Sequence, residues 1–302
     1  MCASLAALVF AGLTVASRVS PLPAARFILR SVDTVDEMWF LRGKSVRWRI
    51  LDLLYATGIL RPVQVRVAPG FAMNVDRIDY VTRDIVMTGI WEPHITGITT
   101  AALKEGDVFF DIGAHVGYYT LLASTLVGTS GKVIAVEPNP PTADRLRANI
   151  QLNKFTNISV YQAAAADNDG SLPFFQAGNE HNAWSSLSKV TALGGREIVV
   201  KSLRLDSIAN IERLTRVDLM KLDVEGAEMQ VLRGARQILT TFRPRIITEL
   251  KPGALGRLGA GMDEVVAYLH ANGYTLGRQI DHENYFWLPD PEFTPGKTAA
   301  RF

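Results

Sequence analysis

The chain has 302 residues, 48% hydrophobic and 21% charged, a balance that supports a large buried core and excludes a disordered or collagen-like polymer. Lys+Arg 32 against Asp+Glu 30 leaves a net charge of +2, which offers no global basic field for nucleic acid. The single cysteine, Cys2, excludes an intrachain disulfide and a cysteine-built zinc cage and suits a reducing cytoplasm, and no apolar stretch reaches the roughly 20 residues of a membrane span.

Residues 1–60 form an expected N-terminal helical segment. Ala3 to Ala16 is a continuous apolar run without the positive flank of a signal peptide, and it reads as a helix buried on the domain ahead of a membrane-surface leader or a cleaved signal. Up to Val67 there are nine Lys/Arg against four acids, a surplus that suits either a solvated helical face or peripheral contact with anionic lipid. Residues 1–17 are therefore expected to be dispensable for catalysis. Met38, Leu41, Val46, Ile50, Leu53 and Leu54 recur at helical spacing, ending near Gly58.

Residues 61–100 read as a β-rich lead-in. Val63 to Val67 alternates, Phe71 to Val75 follows a Pro-Gly turn, and Ile78 to Val86 mixes β-branched residues with charges, which suggests a meander. From residue 101 to 290 short apolar runs (VFFDI, KVIAVE, ISVYQ, LMKLDV, RIITEL) alternate with helical patterns, as βα units around a parallel sheet do. The fold class is α/β, and residues 291–302 form an expected flexible tail, fraying from Pro289 on.

The run from Val108 to Thr120 passes from a buried strand into a helix through Asp111, Gly113 and Gly117. Glycines let backbone approach a ligand closely, and a helix N-terminus presents free N–H groups. A dinucleotide site would place its first glycine where Asp111 stands, and a carboxylate there repels a diphosphate. The same charge attracts an amino group and a sulfonium, which favours S-adenosylmethionine over NAD. A side chain at Gly113 is expected to fill cofactor space. Glu137 ends the next strand, where an acid accepts hydrogen bonds from both ribose hydroxyls.

With these motifs on the page, the sequence resembles the FkbM-type S-adenosylmethionine-dependent methyltransferases. The resemblance rests on DVFFDIGAHVGYYT at 107–120, KVIAVEPNPPTADRLRANIQLN at 132–153 and VDLMKLDVEGAEMQVLRGARQILTTFRPRIITEL at 217–250. Weaker matches are AAAADNDGSLPF at 164–175 and NAWSSL at 182–187, and one departure is His115, where the family usually has Asn. The resemblance implies a Rossmann-like seven-stranded methyltransferase sheet and methyl transfer, usually to oxygen, on sugar or polyketide-type hydroxyls. Carried onto this chain, it implies a methionine-end loop of Asp111, Gly113, Ala114, His115 and Gly117. Glu137, Pro138 and Asn139 would lie on the ribose side, with Ala165, Ala166 and Asp167 on the adenine side.

Methyl transfer needs donor and acceptor aligned and the acceptor's proton removed. Alternation along LMKLDVEG places Lys221, Asp223 and Glu225 on one face at the carboxyl end of a central strand, where ligands of open α/β sheets bind. All three are expected to be catalytic, the carboxylates serving as base; the bland reading is a Lys221–Asp223 or Lys221–Glu249 ion pair that fixes the strand. His115 and His181 are lesser bases, and Trp184 is a candidate to stack on a sugar. Asp223, Glu225 and Glu249 offer the hard oxygens that Mg²⁺ prefers, but their spacing is no metal signature and no metal ligand is assigned. The expected enzyme is thus an O-methyltransferase acting on a small-molecule hydroxyl of a sugar, glycolipid or polyketide-type product, with no nucleic-acid partner. The alternatives are methylation of protein or nucleic acid, or a non-catalytic cofactor-binding module.

Overall fold

The computed structural model describes residues 63–67, 70–75, 80–177, 186–187 and 195–293. The expected helices of residues 1–60, His181, Trp184 and the last nine residues of the tail lie outside this set. The chain divides into two compact units, residues 1–68 with 72–90 and residues 69–71 with 91–302.

In the first unit β1 (Val63–Arg66) and β2 (Ala72–Val75) pair antiparallel, where the alternation predicts them. Val65 and Met73 are buried partners while Gln64 and Arg66 are exposed, the two-residue period of a pleated strand. The expected third strand of the meander is instead the helix Tyr80–Thr88. Val81 and Ile85, four residues apart, are buried in it together with Thr82. The period of burial decides the element, and the β-branched residues that suggested a strand do not override it.

The second unit opens with the helix Pro93–Ala102 and continues into β3 (Val108–Ile112), the helix Tyr118–Val127, β4 (Lys132–Val136) and the helix Pro140–Asn153. β5 (Ile158–Tyr161) is followed by three strands outside the main sheet: β6 (Ala164–Ala165), β7 (Gly170–Ala177) and β8 (Gly195–Leu203). After the helix Leu205–Ile211 come β9 (Leu219–Leu222), the helix Glu228–Arg233 and β10 (Arg245–Glu249). The helices Pro252–Arg257 and Met262–Ala271 then lead to β11 (Tyr274–Gln279) and β12 (Asn284–Pro289).

Seven strands form one sheet in the order β11-β12-β10-β9-β3-β4-β5. β10, β9, β3, β4 and β5 run parallel, and β12 is antiparallel to both its neighbours. The order reverses between β3 and β9, so a crevice opens at the carboxyl ends of these two strands. Every residue of β3 and β9 is buried, the signature of central strands covered on both faces. Phe110, Ile112, Ile134, Met220, Leu222, Ile246 and Trp287 belong to one continuous core.

At the other end of the sheet, Asp218 accepts the Val108 N–H at 2.8 Å and pairs with Arg216, which also reaches Asp107 at 3.0 Å. This charged clasp ties β3 to β9 away from the crevice. Residues past Pro289 also contact the domain. Asp290 N–H bonds Gly273 O at 2.8 Å, and the Arg243 guanidinium lies 5.2 Å from the Phe293 ring centroid.

Trp287 is 1% exposed and donates its Nε1–H to Thr248 Oγ1 at 3.0 Å, linking β12 to β10. Trp287→Ala is expected to cost about 3–5 kcal/mol through the cavity and the unpaired hydroxyl. Urea unfolding followed by circular dichroism measures this, and a cost under about 1 kcal/mol would show that β12 does not anchor the sheet.

Candidate functional site

The loop after β3 is shaped by three left-handed residues, Gly113 (φ 84), His115 (φ 49) and Gly117 (φ 96). Histidine is among the few non-glycine residues that tolerate this region, as asparagine does, so His115 preserves the backbone that the family's Asn would give. Gly113 and Ala114 N–H groups both bond Val136 O, at 2.9 and 3.1 Å, which docks the loop on the end of β4.

A Cβ built on Gly113 would lie 1.8 Å from the Asp223 carbonyl oxygen. The glycine is thus demanded by the main chain after β9, and the expectation that its side-chain space belongs to a cofactor is corrected: protein fills it. At Gly117 the Leu146 Cδ1 methyl would lie 2.4 Å away.

Glu137, just past β4, is 6% exposed and takes two backbone N–H groups, His115 at 2.9 Å on Oε2 and Asn139 at 2.8 Å on Oε1. One carboxylate therefore ties the glycine loop to the turn after β4, and each oxygen keeps acceptor capacity for a further donor. Burial pushes its pKa up to about 7 against the pull of those N–H groups. Pro138 is half-buried, and buried Asn139 receives the Gln176 side-chain amide at 2.7 Å. Ala165 lies buried in β6, whereas Asp167 is exposed; the polar contacts of that turn are made by Asp169, to Arg204 N at 2.7 Å and Ser207 Oγ at 2.6 Å.

Asp111 and Lys221 are register partners on β3 and β9. Asp111 is 1% exposed and accepts the Thr120 hydroxyl at 2.5 Å; burial raises its pKa to about 6, opposed by Lys221. Lys221 pairs with Asp223 at 2.8 Å, and its ammonium lies 4.7 Å from the Tyr119 ring centroid. Burial disfavours its charge, but Asp223, Glu92 and Asp111 outweigh this and hold it firmly protonated. Of the two ion pairs considered from sequence, Lys221–Asp223 is present, while Glu249 pairs with Lys251 at 2.8 Å.

β9 ends at Leu222, so Asp223 and Glu225 both lie beyond the strand, and strand alternation alone does not place Glu225. Glu225 sits in a left-handed turn (φ 52) ahead of Gly226, whose own Cβ would lie 2.5 Å from Ala254 O. From there it reaches Lys251 at 3.0 Å. Burial and then Asp223 raise the Glu225 pKa, against Lys251. Burial also acts on Asp223, but Lys221, a hydrogen bond from Glu249 and Lys251 hold it below the usual carboxylate range. Glu249 carries the shared proton, raised by burial and then by Asp223. The two neighbouring carboxylates are thus sharply different in proton affinity.

Asp223, Glu225 and Glu249 can bring one oxygen each within 4.8 Å of one another. Lys251 contacts two of them and Lys221 the third, so two ammonium groups already supply the positive charge. That donor set does not fit a divalent cation without displacing Lys251.

Sequence reasoning left out Lys251, Glu92 and Tyr119. Lys251 was findable, two residues beyond Glu249 and therefore on the same side of the extended chain. Glu92 was not: it lies before the helix Pro93–Ala102, and only the fold brings it to Tyr119, whose hydroxyl donates to Oε2 at 2.8 Å. Glu228, 1% exposed, takes the Gly226 N–H at 3.1 Å, and burial raises its pKa to about 7.

Asp111, Glu137 and Glu228 all bind protons more tightly folded than unfolded. Their ordinary values are 3.8, 4.5 and 4.5 and their folded values about 6, 7 and 7, so their ionisation erodes stability as pH rises across that window. Asp223 acts oppositely, but only as pH falls through and below its ordinary 3.8. The melting temperature of the ligand-free protein is expected to fall between about pH 5 and 7.5, and Glu228→Gln to flatten that fall. A melting temperature rising over the interval would contradict the burial of these acids.

The chain matches the family model described as "Methyltransferase FkbM domain" over residues 111–276, more than half its length. It is 26% identical over 199 residues to "Hexuronic acid methyltransferase AglP" of Haloferax volcanii, covering 65% of this chain and 78% of that protein. It is 28% identical over 208 residues to "31-O-demethyl-FK506 methyltransferase FkbM" of Streptomyces tacrolimicus, covering 59% and 76%. Among solved structures, methyltransferase FkbM from Methylobacillus flagellatus aligns with TM-score 0.42 and 14% identity, covering 69% of this chain and 53% of that one.

Proposed function

The chain belongs to the FkbM methyltransferase family, and from that membership and the geometry of the crevice we propose that it methylates a hydroxyl of a sugar, glycolipid or polyketide-type product, using S-adenosylmethionine. The names of the two relatives, one a hexuronic acid methyltransferase and one acting on 31-O-demethyl-FK506, support an acceptor of this class. The observation that carries the reading is the placing of Asp111, Glu137 and Asp223 at the carboxyl ends of β3, β4 and β9, around the loop that Gly113 docks.

The residues present fit the cofactor. Glu137 has acceptor capacity for ribose hydroxyls, Ala114, His115 and Gly117 line the glycine loop, and acids surround a region that suits a cation. S-adenosylmethionine supplies, when bound, a methyl group activated by a sulfonium. The protein's part is to align the acceptor oxygen and take its proton.

Glu225 suits the second task better than Asp223. Its proton affinity is raised and its ion-pair partner is Lys251, whereas Asp223 is committed to Lys221 and to the proton of Glu249. Asp223 then serves to keep Lys221 charged and placed. The alternation argument gave both carboxylates one role; the structure supports two.

Glu225→Gln is expected to lower turnover about 10²- to 10⁴-fold with melting temperature and cofactor affinity little changed. Asp223→Asn leaves the buried Lys221 without its partner, with an expected stability loss of about 3–5 kcal/mol and weaker cofactor binding. Calorimetric titration with S-adenosylmethionine, thermal melts and a mass-spectrometric screen for a one-methyl gain on sugar and macrolide hydroxyls measure all three quantities. Absence of S-adenosylmethionine binding by the wild type would refute the cofactor, and near-normal turnover of Glu225→Gln would remove Glu225 as the base.

A further inference from the structure

Glu92 precedes Pro93 with φ 40 and ψ 73, a left-handed conformation that few non-glycine residues adopt. It lies outside the matched residues 111–276 yet is folded against the crevice. Its Oε2 accepts the Tyr119 hydroxyl at 2.8 Å, and the Tyr119 ring faces the Lys221 ammonium, which in turn holds Asp223. Lys221, Asp223 and Asp281 are the charged groups that act on Glu92. Around this point three carboxylates, Glu92, Asp111 and Asp223, lie in the field of Lys221, and Lys251 acts on Asp223 alone of the three.

Uncompensated carboxylates in a partly desolvated site favour a cationic ligand. The three are not equally able to touch one. Asp111 is closed off beneath Thr120, and Asp223 is engaged by Lys221. Glu92 is only half-buried, with Oε2 oriented by Tyr119 and Oε1 retaining acceptor capacity. It stands beside Tyr119 in the first turn of the helix that follows the glycine loop.

We propose that Glu92 recognises the α-ammonium group at the methionine end of S-adenosylmethionine, reaching it from the segment ahead of the family domain. The proposal rests on the cofactor reading above. Tyr119 is the positioning residue: its hydroxyl fixes the carboxylate, and its ring keeps Lys221 from swinging over to neutralise it.

The test uses the full-length chain and two ligands, S-adenosylhomocysteine and its analogue lacking the amino group. Neither carries the sulfonium, so their affinity ratio isolates the ammonium. The wild type is expected to prefer S-adenosylhomocysteine by about 10- to 100-fold, the range for a hydrogen bond between charged groups. In Glu92→Gln the preference is expected to collapse to within a few-fold while melting temperature holds. Tyr119→Phe keeps the charge but loses its aim, and a partial fall is expected. An undiminished preference in both variants, or none in the wild type, overturns the proposal while leaving the cofactor reading intact. A wild type that binds neither ligand overturns both.

Discussion

The main chain after β3 and the main chain after β9 approach at Gly113 so closely that only a hydrogen fits between the glycine and the Asp223 carbonyl. The architecture of the site follows from that contact. It brings the glycine loop against the residues that carry Asp223 and Glu225, at the point where strand order reverses and the sheet leaves room for a ligand. Glu137 extends the same arrangement sideways, because its two oxygens hold the His115 and Asn139 N–H groups and so join the loop to the end of β4. The loop is therefore fixed by the protein's own bonds and need not be ordered by its ligand, which lowers the entropy lost on binding.

Electrostatics at the crevice are set by how many acids share each base. Lys251 contacts Glu225 and Glu249, while Lys221 contacts Asp223 and lies in the field of Asp111 and Glu92. Burial disfavours every one of these charges, and two lysines cannot offset five carboxylates. The imbalance is relieved by a proton retained on Glu249, by the raised proton affinities of Glu92, Asp111 and Glu225, and, on the present proposal, by a cationic ligand. The two lysines neutralise charge and orient the carboxylates they contact.

The parallel core was readable because buried central strands write themselves as short apolar runs. VFFDI, KVIAV, ISVY, LMKL and RIITE appear as β3, β4, β5, β9 and β10. What escaped were elements whose burial is one-sided or partial. β8 is largely exposed along GREIVV and pairs with β7 in a separate sheet, so no apolar run announces it. The helix Tyr80–Thr88 was mistaken for a strand because its β-branched residues outweighed a weak four-residue repeat. Site residues divided the same way. Asp111, Gly113, Gly117 and Glu137 lie in or beside strand ends and were legible locally. Glu92 and Tyr119 gain their meaning from a contact 27 residues apart in sequence, which spacing does not encode, whereas Lys251 follows Glu249 by two residues.

Glu225 shows where strand alternation stops being a guide. Counting by twos from Lys221 gives Asp223 and then Glu225, and the count would hold if the strand ran on. It does not: the chain takes a left-handed turn at Glu225, ahead of Gly226, where a Cβ would lie 2.5 Å from the Ala254 carbonyl oxygen. From that turn Glu225 pairs with Lys251, while its carboxylate stays within 4.8 Å of those of Asp223 and Glu249. A single backbone reversal thus assigns neighbouring carboxylates to different lysines. One is held ionised and the other is left with a raised proton affinity. On the proposed function, this difference in proton affinity between adjacent acids is what fits Glu225, and not Asp223, to accept a proton.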